Sequence, residues 1–378
     1  MWNAALGGLL LLIVATDAVS TKACTTDPVP PPDGETFTTQ DGVRFGVEVV
    51  RTNLEVPWSL AFAPDGRLFV TERPGRVQLL DLSRDASTVA LTVDDVYAQN
   101  EAGILGIALD PGFSSNRLVY LYYTAQAGGG PVNRVVRFRE AGGRLGERAV
   151  LVDDIPANNF HDGGRLRFGP DGFLYVTTGD AGVASLAQDI ASLTGKILRI
   201  DRDGRTPAGN PFSSPVWSYG HRNSQGLDWH PDTRDLWASE HGNAGNDEIN
   251  VIDGGVNYGW PTIEGNETRP GMQPPVAFYG SAIAPSGASF YRGSRFPEFV
   301  NDFFVATLRG SHILRLRIDP ASPRRILAQE RLLDGRFGRI RDIAIGPDGL
   351  IYFCTSNRDG RGSTVSADDR IVRLVPVT

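Results

Sequence analysis

The sequence predicts an all-β fold, a six-bladed β-propeller of four-stranded antiparallel blades, and three observations carry that prediction. One turn signal recurs: "FAPDG" at Phe62, "LDPGF" at Leu109, "FGPDG" at Phe168, "WHPDT" at Trp229 and "IGPDG" at Ile345. Each lies between short runs rich in apolar, β-branched or aromatic residues, as a hairpin requires. Those runs group into six sets of three, and further strand-like pieces stand between sets. Finally, no stretch sustains a helical period, so helix is expected to be minor.

The first set is "WSLAFAP/RLFVTER/RVQLLDL", followed by "VALTVDD"; the second is "GILGIALD/LVYLYYT/RVVRFRE", followed by "AVLVDDI". Next come "GRLRFGP/FLYVTTGD/KILRID" and "GLDWHP/DLWASE/EINVID". The fifth, "GASFYRG/DFFVATL/HILRLRID", is followed by "RILAQERLL", and the sixth is "IRDIAIGP/LIYFCTS/RIVRLVP". Nothing follows the sixth, but "RFGVEVV" precedes the first and is expected to supply the missing strand. The N-terminal strand then closes the last blade, which leaves the ring without free edges. Intervals between Pro64, Pro111, Pro170 and Pro231 exceed the ~40–50 residues of common propeller repeats, so the blades should carry long loops. A pair of β-sandwiches would not need six equivalent triplets.

Composition bounds the partners. The chain has 378 residues, 41% hydrophobic and 21% charged, an ordinary globular balance. Its net charge of −7 argues against nucleic acid or an anionic membrane, both of which select basic surfaces. The apolar run from Ala4 to Ala15 is too short to span a bilayer and fits an export signal, so the protein is expected to be periplasmic or secreted. Residues 1–23 read as signal peptide or leader, 24–41 as a Pro-rich linker and 42–378 as the propeller. Cys24, before the Pro-rich stretch, reads either as a lipid-anchored start or as part of the leader, and Lys22 fits a lipobox poorly. Cys24 and Cys354 are the sole cysteines, and their separation defines no disulfide framework.

Propeller topology then gathers candidates. The start of each inner strand and the hairpin joining second to third strands lie on one end of the disc. Glu101, His161, Arg222, Asn223, Gln225, Ser286, Arg339 and Arg341 precede or open inner strands, and Arg309 sits in a hairpin. So does the Gly/Asn-rich "EHGNAGNDE" from Glu240 to Glu248, readable as a turn plus surface strand or as a cation loop. Arg339 and Arg341 share a face by the strand period of two. One histidine, four arginines and amides at one mouth suit an anionic planar ligand, since guanidinium forks match carboxylates. His221, His230 and His312 read as turn residues.

"HDGGRLRFGPDGFLYVTTGD", "SYGHRNSQGLDWHP", "ASEHGNAGNDEINVIDGGVNYGWP" and "APSGASFY" together resemble the soluble pyrroloquinoline-quinone (PQQ)-dependent aldose dehydrogenases, the glucose/sorbosone dehydrogenase family, over about Val56 to Leu374. The resemblance implies oxidation of an aldose at its anomeric hydroxyl, with His161 as general base and hydride passing to PQQ. It implies Arg222 on the quinone oxygen, Glu101, Asn223 and Gln225 around the cofactor, and Arg309, Arg339 and Arg341 on its carboxylates. It also implies Ca2+ held by carbonyls of Gly242 and Asn243, with a second ion on Asp247, Glu248 and the Tyr258 carbonyl. The partners would be the sugar and an external electron acceptor. Gly163 and Gly164 are expected to leave room for a flat ligand. Glu101 replaces Gln and Arg309 replaces Lys of some relatives, and Phe160 stands where one branch has Asp. Two other classes were weighed: a non-catalytic extracellular binding propeller, which needs no complete base-plus-arginine set, and a calcium-dependent lactonase, which would line its axis with carboxylates.

Overall fold

The computed structural model describes residues 34–377. The recurrent turn works identically in three of its five occurrences. Ala63, Gly169 and Gly346 donate their amides to the carbonyls of Arg67, Phe173 and Leu350 at 2.8, 2.8 and 2.9 Å. Asp65, Asp171 and Asp348 each accept the amide two residues on, at 3.2, 3.2 and 3.1 Å. The closing glycines Gly66, Gly172 and Gly349 have φ of +87°, +80° and +76°, a region that side chains rarely adopt.

These hairpins build six antiparallel sheets, as expected. Blade 1 runs Pro57–Phe62, Leu68–Glu72, Arg76–Asp81 and Ala86–Thr92; blade 2 runs Ile104–Leu109, Leu118–Ala127, Gly130–Ala141 and Arg144–Pro156. Blade 3 is Leu166–Phe168, Leu174–Thr178, Lys196–Ile200 and Val216–Tyr219; blade 4 is Ser224–Trp229, Leu236–Glu240, Asp247–Ile252 and Ala277–Tyr279. Blade 5 is Pro285–Phe290, Phe303–Thr307, Ile313–Asp319 and Ser322–Leu332. Blade 6 takes Ile340–Ile345, Ile351–Thr355 and Ile371–Pro376 from the C-terminal part and Arg44–Arg51 from the N-terminal part. Phe45 pairs with Pro376 and Arg51 with Ile371, so the ring closes by hydrogen bonds between the two ends. The helix among the described residues is one α-turn, Phe113–Asn116, and two 3-10 turns, Ala184–Ala187 and Pro297–Phe299.

Inner and middle strands are covered on both faces by neighbouring blades, which explains why Leu68–Glu72 and Leu174–Thr178 are buried throughout instead of alternating. Aromatic rings fill the wedges: Phe290 of blade 5 lies 5.8 Å from Trp237 of blade 4 and 4.6 Å from Phe303. Outer strands such as Ala86–Thr92 are mostly exposed.

Regular structure is present upstream of the Gly42 boundary expected from sequence. Phe37–Thr38 adds a fifth strand to blade 6, and Asp41 receives two hydrogen bonds from the buried Arg315, at 2.8 and 2.9 Å. A stretch that looked like linker is held by a guanidinium far away in sequence. Cys354 is free and buried, while the leader, its cleavage and Cys24 lie outside the described residues.

The axis is crossed by Arg165. Its side chain, 5% exposed, donates to the Gln225 carbonyl of blade 4 (2.8 Å), Ser59 of blade 1 (2.8 Å) and Asp342 of blade 6 (3.1 Å). Asp342, equally buried, also accepts the Leu60 amide at 2.8 Å. Removing one partner of a buried pair strands the other charge. Arg165→Met should therefore cost about 3–5 kcal/mol in urea unfolding. The double variant with Asp342→Asn should recover part of that loss; independent, additive effects would refute the coupling.

Candidate active site

Loops from the same end of the disc converge as the topology requires. Glu101, Gln225, Arg309, Arg339 and Arg341 line one cavity of about 360 Å³. His161 and Arg222 attach to its wall: the His161 amide donates to Glu101 Oε2 (3.3 Å), and Arg222 Nη1 donates to the carbonyl of His241 (3.2 Å). Asn223 Oδ1 accepts the Gly163 amide at 3.0 Å, and Gln225 Oε1 accepts from Ser286 (3.1 Å) and Arg341 (2.9 Å). A larger cavity, about 760 Å³, opens at the opposite end of the axis beneath the Pro-Asp-Gly turns, and Arg167, Arg292 and Asp348 are in its wall.

His161 does not begin a strand as its sequence context suggested. The inner strand starts only at Leu166, and His161 stands in the lead-in with φ +59°, a conformation costly for a side-chain-bearing residue. Its ring is fixed from the side. Nδ1 lies 2.8 Å from Asp180 Oδ1, and Asp180 in turn accepts from the Gly182 amide (2.8 Å) and from Trp260 Nε1 (2.9 Å). Burial pushes the Asp180 carboxyl up, but the hydrogen bond from His161 and the other donors outweigh it and hold the group below its ordinary value. With Nδ1 committed to a carboxylate, Nε2 is the nitrogen left to take a proton. The Phe160 ring meets the imidazole edge-on at 4.8 Å, so apolar packing occupies the place where a carboxylate neighbour was expected to be missing.

The arginines are anchored unequally. Arg339 grips Asp359 at 2.8 Å through two nitrogens, and Arg341 approaches the same carboxylate at 3.6 Å, so the two do share a face. Burial lowers Arg341 to about 10. Arg222 lies 5.2 Å over the Trp260 ring. Arg309 is exposed at the rim. The extra negative charge expected at Glu101 is matched by Arg361, 2.5 Å away, which holds the carboxyl down at about 2 against the opposing effect of burial.

The 242–247 loop folds tightly. A Cβ on Gly242 would fall 2.2 and 2.3 Å from the carbonyl oxygens of Asn246 and Gly245, and Ala244 and Asn246 both have φ +54°. Among the described residues, the carbonyls of Gly242 and Asn243 accept no hydrogen bond, which leaves oxygens of the kind calcium takes. The residues of the second expected set come from one strand and the loop that follows it. Asp247 and Glu248 are successive in a strand and point to opposite faces. Asp247 is spent on the amides of Gly242, Ile283 and Ala284. Glu248 pairs across the sheet with Glu240, beside the His221 ring on which Tyr258 stacks at 4.9 Å. Burial next to Glu240 raises Glu248 to about 8. Among the described residues no group of three or more His, Cys, Asp and Glu side chains is poised for a metal.

Gly163 and Gly164 serve a different purpose from the one expected. A Cβ on Gly163 would come within 2.7 Å of the Thr177–Gly179 backbone, and one on Gly164 within 2.7 Å of Leu105. They allow strands and blades to approach, so the protein's own packing requires them. Sequence reading placed the loop of His241 at this mouth but missed Arg73, Asp359 and Arg361 as cavity wall, and Asp180 and Trp260 as supports of His161. Arg73, Asp359 and Arg361 lie in second-to-third connections of blades 1 and 6, where the rule that found Arg309 would have found them too. His241, which burial pushes down to about 3, is neutral.

Whether the site fits a polar, multiply hydrogen-bonding ligand is answered by donors left over. Arg222 Nε, Asn223 Nδ2, Arg341 Nε and one His241 ring nitrogen, Nε2, are buried without a partner. Such atoms cost stability unless something pairs with them; Arg341 and His241 line the cavity, and Arg222 and Asn223 are hydrogen-bonded to the His241 backbone. The fold, the site and the sequence agree with one family: its model, described as Glucose / Sorbosone dehydrogenase, matches residues 54–371. The chain belongs to that family. Within reach of this glucose/sorbosone dehydrogenase sequence, aldose sugar dehydrogenase YliI of Escherichia coli K12 is 31% identical over 349 residues, 85% of this chain and 92% of that protein. Quinoprotein glucose dehydrogenase B of Acinetobacter calcoaceticus is 29% identical over 290 residues, 68% of this chain and 60% of that one. The PQQ-bound aldose sugar dehydrogenase of Streptomyces coelicolor superposes with a TM-score of 0.79 at 38% identity, covering 88% of this chain and 98% of that one.

Asp162, beside the histidine but turned into the core, is raised to about 7 by burial despite hydrogen bonds from Asn133 (2.8 Å) and Asn158 (3.1 Å). A carboxyl raised on folding contributes most at low pH and loses that contribution as pH climbs from the unfolded value toward the folded one. Asp162→Asn should therefore stabilise the protein above pH ~7, on the order of 2–4 kcal/mol, and by clearly less at pH ~5. Urea melts at both values read this, and an equal shift at both would refute it.

Proposed function

We propose that this chain oxidises aldose sugars at the anomeric carbon to lactones, with PQQ and calcium as cofactors. The observation that carries the reading is a histidine locked through Nδ1 to Asp180 at 2.8 Å, beside a cavity walled by guanidiniums with unpaired buried donors. Bound PQQ would supply the two-electron acceptor and calcium would polarise it, chemistry that no protein side chain offers. Arg222 Nε and Asn223 Nδ2 supply donors for quinone oxygens, while Arg309, Arg339 and Arg341 match carboxylates and the free carbonyls of Gly242 and Asn243 match calcium. Glu101 and Gln225 complete the wall, and Glu101 also steadies the backbone of His161.

In the reaction, His161 Nε2 takes the proton of the anomeric hydroxyl as hydride leaves the same carbon, and a C=O bond replaces O–H and C–H. Asp180 keeps the ring in the tautomer that makes Nε2 basic and stabilises the imidazolium that results. Trp260 holds Asp180 from behind and its ring covers Arg222, so base and oxyanion-stabilising group rest on one side chain. The apolar N-terminal run supports export, which would place the reaction outside the cytoplasm with an external electron acceptor; the sugar itself is unspecified.

The test reconstitutes apo-protein with PQQ and calcium, then follows dye reduction with a panel of aldoses. His161→Ala should lower kcat by about 10²–10⁴-fold while PQQ still binds, and Asp180→Asn should also lower kcat with KM nearly unchanged. Full activity in His161→Ala, or lactone hydrolysis that ignores PQQ, would overturn the assignment.

A further inference from the structure

The guanidiniums around the cavity outnumber the carboxylates that face them. Arg73, Arg309, Arg339, Arg341 and Arg361 line it together with only Glu101 and Asp359. Asp359 is engaged by Arg339 and approached by Arg341, and Glu101 is engaged by Arg361. Arg73, half-buried, has no hydrogen bond or ion pair from its guanidinium among the described residues. On balance its surroundings disfavour the charge: burial lowers it from its ordinary value against the attraction of Asp359 and Glu101, and Arg361 and Arg339 push the same way as burial.

The backbone of Arg73 is fixed with unusual tightness for a hairpin. It lies between Leu68–Glu72 and Arg76–Asp81, donates to the Val56 carbonyl (3.0 Å) and accepts the Ile104 amide of blade 2 (2.9 Å). Gly103 lets that carbonyl in, because a Cβ there would lie 2.2 Å from it. A chain that clamps an unpaired cation into a cavity already rich in cations loses stability unless an anion completes the set.

We propose that Arg73 is a further ligand-binding residue of this site, its guanidinium pairing with a carboxylate of a planar polycarboxylate seated in the cavity. On the reading given under Proposed function, on which this rests, that ligand is PQQ. A binding role and a merely structural one move stability in opposite directions. Without ligand, the burial of Arg73 outweighs its attraction to Asp359 and Glu101, so Arg73→Met should leave the melting temperature of apo-protein unchanged or raised. With ligand, the loss of a charge-assisted fork should weaken binding by about tenfold or more, and Arg73→Lys should fall between.

The experiment titrates apo-protein with PQQ in calcium buffer by tryptophan fluorescence quenching, and measures melting temperature with and without citrate as a second, simpler tricarboxylate. Weaker PQQ binding by Arg73→Met without a drop in apo stability supports the proposal. Unchanged affinity overturns it while leaving the PQQ reading in place, and so does weakened affinity accompanied by an equal loss of apo stability. If wild-type protein fails to bind PQQ, the reading under Proposed function falls and citrate decides: stabilisation that Arg73→Met abolishes upholds an anion site at Arg73. Stabilisation that survives the substitution, or none at all, overturns it.

Discussion

One guanidinium on the axis, that of Arg165, makes the ring a single body. It binds groups on blades 1, 4 and 6 from its own place on blade 3, and it does so buried, where an unpaired charge would be expensive. Asp342 returns the favour by also holding Leu60 of blade 1. The floor of the active cavity is built on this hub: Trp58 faces Arg165 at 4.4 Å and Arg341 at 5.9 Å, and Arg341 and Gln225 bond to each other above it. The geometry of the catalytic mouth is therefore inherited from the packing of the axis.

Above the hub the site is electrostatically unfinished. A protein of net charge −7 concentrates cations at one opening and leaves several donors there unpaired. Such an arrangement is a cost in the unliganded state and a source of affinity in the liganded one, because preformed donors need no reorganisation when an anionic ligand arrives. The compensation visible within the protein is selective. Asp359 and Glu101 neutralise the outer arginines, whereas the donors of Arg222, Asn223 and Arg341 stay available. Glu101, a change of charge relative to some of the family, is accommodated by a local partner without disturbing its bond to the backbone of His161.

His161 is held with comparable care. His161 occupies a left-handed backbone conformation that the fold over-determines through Glu101, Asp180 and the close approach of Gly179, where an added Cβ would sit 1.8 Å from the His161 carbonyl. Trp260 couples the carboxylate that holds His161 to Arg222, although these residues lie in different connections.

The order of strands, the six blades and the closing N-terminal strand were legible in the sequence because hairpin chemistry is local: a Pro-Asp-Gly turn between two apolar runs needs no distant partner. Topology then predicted which loops share a mouth, and Glu101, Gln225, Arg309, Arg339 and Arg341 are there. The sequence alone also showed that the cations in that mouth stand out in a protein of net charge −7. Tertiary structure decided what each residue spends its bonds on. That Asp41 anchors to Arg315, that Asp247 holds backbone amides while Glu248 faces Glu240, that Gly163 and Gly164 make way for strands, and that Asp180 orients His161 all depend on contacts between segments remote in the chain. A residue's type declares which bonds it is able to make. Its neighbours after folding, set by blade packing around the axis, select among them.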